Sequence, residues 1–157
     1  MDFDKVISHR KMIREYIANK QIPEEMIIKF VKNAHRAPSA GHTQEQEFIV
    51  VKDGITKKKL RKVANQEYVE MAPASIIVCS NTSRSVNRYG TRGREFYSII
   101  DVLLHISAVN EGIGAAFVGA FEDDKISQIL ELPKYVRPVG IICLILQRHL
   151  KSYPELI

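Results

Sequence analysis

Residues 37–53 read APSAGHTQEQEFIVVKD, a short polar passage that runs into a strand. Pro38 pushes the residue before it out of helical backbone, so a helix arriving from the N-terminal side must stop there. Gly41 frees the chain to bend or to let a ligand approach the backbone. Ser39, His42 and Gln44 then offer a hydroxyl, an imidazole and an amide, groups that can read the donor and acceptor edge of a heterocycle. The same residues would equally serve as a helix-to-strand connection held by its own side chains. Phe48–Val51 is rich in β-branched and aromatic residues and reads as the first central strand, punctuated by Asp53-Gly54.

Toward the N-terminus, Pro23 opens a helix at its first position, where the missing N–H costs nothing. Met26, Ile27, Phe30, Val31 and Ala34 give that helix an apolar stripe at a spacing of about 3.6 residues. A shorter helix over Phe3–Ser8, behind Asp2 as N-cap, carries Phe3, Val6 and Ile7 on one face. Arg10–Ile22 between them is irregular, with Tyr16 and Ile17 as anchors. Within it, Arg10-Lys11-Met12-Ile13-Arg14 sets three cations in five residues. On spacing alone a solvated turn is the commoner reading; the alternative is a clasp on a phosphate through charge-assisted hydrogen bonds.

Toward the C-terminus, a helix is expected over Thr56–Asn65, with Leu60 and Val63 inward and a basic outer face, Lys57–Lys62. No aromatic or polar base readers interleave with those cations, so they read as a solvated face and nucleic acid is not an expected partner. Ala74–Ser80 is a buried strand and Ser80–Arg92 a polar loop. Arg84, Arg88, Arg92 and Arg94 crowd its far end, either to attract dinucleotide phosphates or a partner chain, or as a mobile loop. Arg94–Glu111 is the longest helix and stops at Gly112 in left-handed backbone. His105 within it, and Tyr68, Tyr89, Tyr97 and Phe121, read as core residues. Ala115–Ala120 is a strand, Asp123–Leu130 a helix ended before Pro133, and Pro138–Gln147 the last strand. Strands alternating with helices point to one sheet flanked by helices.

The 157 residues are 45% hydrophobic and 26% charged, the composition of one globular domain, with residues 150–157 as a short tail. Lys plus Arg exceed Asp plus Glu by 23 to 18, a formal charge of +5 that suits an anionic partner without naming it. Cys79 and Cys143 lie in apolar runs, as buried thiols of a reducing compartment do. The N-terminus is too charged for a signal peptide, and no apolar run reaches the roughly 20 residues of a spanning helix. The expectation is therefore a cytoplasmic protein without membrane contact. No Ser/His/Asp set, paired carboxylates or metal-ligand spacing stands out, so no metal is expected.

Four blocks in order carry a resemblance. RKMIREY at 10–16 and APSAGHTQ at 37–44 are followed by RYGTRGR at 88–94, then by GIG at 112–114 with FVGAF at 117–121. LELP at 130–133 and RPV at 137–139 extend it. Together they resemble the nitroreductase family of flavin enzymes. The resemblance implies an α+β fold with a central, mostly antiparallel sheet flanked by helices, binding FMN at the interface of a homodimer. It further implies hydride from NADH or NADPH, passed as electrons to a nitroaromatic, quinone or related small-molecule acceptor; the cofactor would carry that chemistry.

Residue by residue, Arg10 and Lys11 fall where the family grips the FMN phosphate and ribityl chain, and Met12 falls where it usually has Ser. Arg14 matches a basic position near the flavin. Pro38, Ser39, Ala40, His42 and Gln44 match the segment that lines the flavin from the second subunit, with His42 in place of Asn. Val118, Gly119 and Ala120 match the strand end, where the Gly119 backbone N–H would point at flavin N5. Glu45-Gln46 replaces the family's Pro-Trp. Past the last strand, Arg148 or Lys151 stands where a basic residue meets the phosphate. These departures leave a second expectation, a non-catalytic flavin- or anion-binding regulatory protein on the same scaffold.

Overall fold

The computed structural model describes residues 2–14, 21–89, 103 and 107–146. Most of the expected long helix, together with Tyr97, His105, Arg148, Lys151 and the tail, lies outside the described residues. In chain order the elements are α1 (Phe3–His9), α2 (Glu24–Ala34), a 3-10 turn (Ala40–His42), β1 (Gln46–Val51), α3 (Gly54–Ala64) and α4 (Glu67–Met71). They continue with β2 (Ala74–Asn81), a second 3-10 turn (Thr82–Arg84), α5 (Val86–Tyr89), β3 (Gly114–Val118), α6 (Asp123–Ile129) and β4 (Val136–Ile145).

The four strands form one sheet in the order β1-β2-β4-β3, with every neighbouring pair antiparallel. This is the α+β architecture expected. All eight residues of β2 are buried, as are most of β4, so the two central strands are covered on both faces. Alternate residues of a strand point to opposite faces, and the core divides accordingly. Ile76, Val78, Ile142, Leu144 and Ala115 pack with Ile27, Phe30 and Ala34 of α2 and with Ala108 and Ile113. On the other face, Ile77, Cys79, Ile141, Cys143 and Ala116 pack with Leu60, Ala64, Val69 and Ile126 from α3, α4 and α6. Residues 107–110 close on Gly112, which sits at φ 74° while Ile113 N–H reaches back to Ala108 O at 2.9 Å. That is the expected left-handed stop.

Several boundaries differ from expectation. Pro23 is the cap before α2 rather than its first residue. Of the face expected on α1 only Val6 is buried; Phe3 is 68% exposed and Ile7 44%. β1 begins at Gln46, two residues early, because Gln46 is already paired with Ser80. The stretch read as a loop after Ser80 contains α5. β3 ends at Val118, leaving Gly119 and Ala120 beyond the sheet. The basic face of α3 is not wholly solvated. Lys57 is buried, and its ammonium donates to Ala72 O at 2.8 Å while burial holds its pKa below the usual lysine range. Arg61 pairs with Glu67 at 3.0 Å and Glu70 at 3.2 Å, tying α3 to α4.

Phe30 is fully buried at the centre of the α2 face. Phe30→Ala should cost about 3–5 kcal/mol, the range for emptying such a site. Urea unfolding would measure it as a lower midpoint at unchanged slope.

Candidate functional site

The register sets the predicted residues at opposite edges of the sheet and at different levels along it. Gln46 opens β1 opposite Ser80, Asn81 closes β2 opposite Val136, and Val118 closes β3 opposite Ile141. β3 runs toward the end where the 37–44 passage enters, but it stops in mid-sheet, because Ile141 pairs with Ile77. β1 and β3 are the outer strands. Three interstrand steps of roughly 4.8 Å separate those edges, and the offset of four residues along β4 adds roughly 13 Å.

Arg10–Arg14 runs along the β3 edge. Met12 forms a parallel bridge with Ala115, and Ile13 N–H donates to Ala115 O at 3.0 Å. Arg10 and Arg14 are exposed and Lys11 half-buried. Arg14 lies beside the hydroxyl of buried Tyr68; burial raises the Tyr68 pKa and Arg14 opposes that rise. Val118 is buried, whereas Gly119 and Ala120 are exposed. Gly119 has a steric reason for being glycine: a Cβ there would come within 3.0 Å of two Phe117 ring atoms. Through the Met12–Ala115 bridge the three cations are strung along the β3 edge, Arg14 nearest the exposed Gly119 and Arg10 farthest from it, a row that fits an elongated group carrying a phosphate. Cys79 and Cys143 take no part. Both are free and buried, and burial pushes each thiol up to about 12.

The 39–47 passage is built differently, as a strained loop held from outside. Gly41, His42 and Gln44 all lie in left-handed backbone, at φ 56°, 57° and 45°. Two of these are not glycine, so the conformation costs energy that other contacts must offset. Ser39 Oγ accepts from Gln44 N–H at 2.7 Å, which realises part of the self-held connection. The rest comes from residues 80–88. Arg88 donates to Gly41 O at 3.1 Å, and Arg84 donates to Gln44 O at 2.7 Å and to Glu47 Oε1 at 3.0 Å. Asn81 N–H donates to Glu45 O at 2.7 Å, its amide to Glu47 Oε1 at 2.6 Å, and Ser80 Oγ to Glu45 Oε1 at 3.1 Å. A Cβ on Gly41 would stand 2.5 Å from the Tyr89 hydroxyl and 2.6 Å from Arg88 Nη1. Arg84 and Arg88 form a clasp on this loop. Their sequence signal was arginine density, which does not reveal that the acceptors are backbone carbonyls some 40 residues upstream.

Glu45, noted in the sequence only as a departure, is the buried floor of the loop at 4% exposure. Its second oxygen, Oε2, has no hydrogen-bond partner among the described residues. His42 and Gln44 face outward, and Pro38 is exposed.

Comparison with known proteins bears on the family and the fold. The sequence pattern described as "Nitroreductase family" matches residues 7–100. A Methanothermobacter thermautotrophicus protein with the provisional name NADH dehydrogenase/NAD(P)H nitroreductase is 30% identical over 147 residues, 90% of this chain and 75% of that one. Human iodotyrosine deiodinase 1 is 38% identical over 66 residues, but these are 42% of this chain and only 22% of that protein. Among solved structures, a nitroreductase family protein from Clostridium difficile 630 superposes with a TM-score of 0.85 at 25% identity, covering 99% of this chain and 90% of that one.

Burial raises the Glu45 pKa above its ordinary value, outweighing the Ser80 hydrogen bond that lowers it. The fold therefore favours the protonated carboxyl. That contribution is fully present below the unfolded pKa and is lost as pH rises through the raised folded value. Glu45→Gln keeps a neutral acceptor for Ser80 and removes the titration. The melting temperature of the parent should fall relative to this variant as pH climbs through that window; parallel curves would contradict the assignment.

Proposed function

The chain belongs to the nitroreductase family, and from that premise we propose that it is an FMN-dependent oxidoreductase acting as a homodimer with its active site at the subunit interface. The observation that carries the reading is the division of the candidate residues between opposite edges of the sheet. Arg10–Arg14 and Val118–Ala120 stand at the β3 edge, Pro38–Gln44 at the β1 edge. Two copies facing each other would bring one edge of each to a shared cofactor.

Bound FMN supplies the redox chemistry, taking hydride from NADH or NADPH and passing electrons to a nitroaromatic, quinone or related acceptor. The chain's own residues bind and orient. Arg10 and Lys11, with Arg148 from beyond the last strand, neutralise the phosphate. Arg14 stands toward the ribityl and ring side. The Gly119 N–H donates where negative charge builds on the reduced ring, a backbone dipole that needs no reorganisation. Ser39, Ala40, His42 and Gln44 of the second copy close over the ring, and the Arg84–Arg88 clasp keeps them in place. A dinucleotide donor of this kind accords with a cytoplasmic setting. The iodotyrosine deiodinase similarity adds one further acceptor class to test, an iodinated phenol.

The purified protein should carry FMN and elute as a dimer, and NADH or NADPH should bleach its visible flavin absorbance under anaerobic conditions. Bound flavin that neither donor bleaches would replace the enzyme reading with the non-catalytic binder; a colourless protein whose melting temperature ignores added FMN would end both. Arg10→Ala removes a charge-assisted hydrogen bond worth about 1.5–3 kcal/mol, so FMN should bind about tenfold more weakly or worse. Titration of the apoprotein by flavin fluorescence reads that directly.

A further inference from the structure

Phe117 is held at both ends. Its backbone N–H donates to the Met12 thioether at 3.4 Å, and two atoms of its ring stand 3.0 Å from where a Cβ on Gly119 would be. Met12 is also the residue bridged to Ala115, and Ile13 N–H closes that bridge on Ala115 O at 3.0 Å. Regular parallel pairing continued from this bridge would send the Phe117 N–H to a main-chain carbonyl of the neighbouring segment. A side-chain sulfur takes it instead. The Phe117 ring lies on the side of the chain toward which a Cβ on Gly119 would point. The Val118–Gly119 peptide, which carries the Gly119 N–H, is therefore bracketed by a backbone tethered at Phe117 and a ring lying against Gly119.

We propose that Met12 and Phe117 are positioning residues for the Gly119 N–H. Met12 fixes the β3 edge through its sulfur, Phe117 transmits that placement through its ring, and the direction of the Gly119 donor follows. At the position where the family usually has Ser, the Met12 side chain is turned to the strand. This rests on the flavin reading above and deepens it. The link itself is a property of the chain alone, and the two can fail separately.

The test uses Met12→Leu, which keeps similar bulk without an acceptor, and Met12→Gln, whose side-chain carbonyl can accept the same N–H. Amide hydrogen exchange is measured across residues 115–120 of the full chain. The midpoint potential of bound FMN reports the relative affinity for reduced and oxidised flavin. Loss of one weak hydrogen bond should speed exchange at Phe117 about threefold or more in Met12→Leu. The preference for reduced FMN should fall by a comparable factor, and Met12→Gln should restore both. Gly119→Ala should disturb the potential more strongly, with Phe117→Leu in the same chain relieving part of the effect. Unchanged exchange in Met12→Leu overturns the sulfur link. Faster exchange at an unchanged potential overturns the positioning role. If no variant or parent binds FMN, the flavin reading fails, and exchange at Phe117 still decides whether Met12 holds the strand.

Discussion

The pairing of β2 with β4 is the constraint on which the rest depends. Eight consecutive β2 residues are buried, and their β4 partners run from Leu144 opposite Ala74 to Val136 opposite Asn81. A central pair covered on both faces tolerates no slip, since a shift of one residue would turn Ile76 and Val78 toward the α3 face and Ile77 and Cys79 toward α2. With that register set, the ends of all four strands are set as well. The one irregularity, a register shift between Val78 and Cys79, falls just before the end where the 37–44 passage enters. Bulges at such places commonly re-aim a strand end near a site.

From that end outward, stability passes from apolar packing to directed polar contacts. The two faces of the sheet are packed mainly with Ile, Val, Leu and Ala. The 39–47 loop has few apolar residues to bury and carries left-handed backbone at His42 and Gln44. It is held by Asn81, Arg84 and Arg88, which satisfy carbonyls and carboxylates that would otherwise stand unpaired. Several of these contacts are exposed and individually modest. Their value is geometric, because each fixes a different point along a short loop.

The regular elements were legible because their signals are local. The continuous apolar runs of 74–80 and 138–145, the stripe from Met26 to Ala34 and the stop at Gly112 each depend on neighbours in sequence. The colinear motif blocks carried the family. What escaped was pairing between distant polar groups. Nothing local says that Lys57, one of five cations in Lys57–Lys62, turns inward to Ala72 O while Lys58 and Lys59 stay in water. Nothing at Glu45 announces a buried carboxyl, because Ser80 and Asn81, which cover it, arrive only when β1 pairs with β2. Met12 looked like a missing serine for the same reason, since its acceptor role needs Phe117, more than a hundred residues away.

The opposite-edge arrangement has a genetic consequence. On the proposed dimer each of the two sites draws its β3-edge residues from one chain and its β1-edge loop from the other. A chain crippled at Arg10 and a chain crippled at the 39–44 loop would each be inactive alone. Mixed in one cell, they would pair to give one site with both defects and one with neither. Two null alleles of a single gene would then complement each other, to about half the normal activity per mixed dimer.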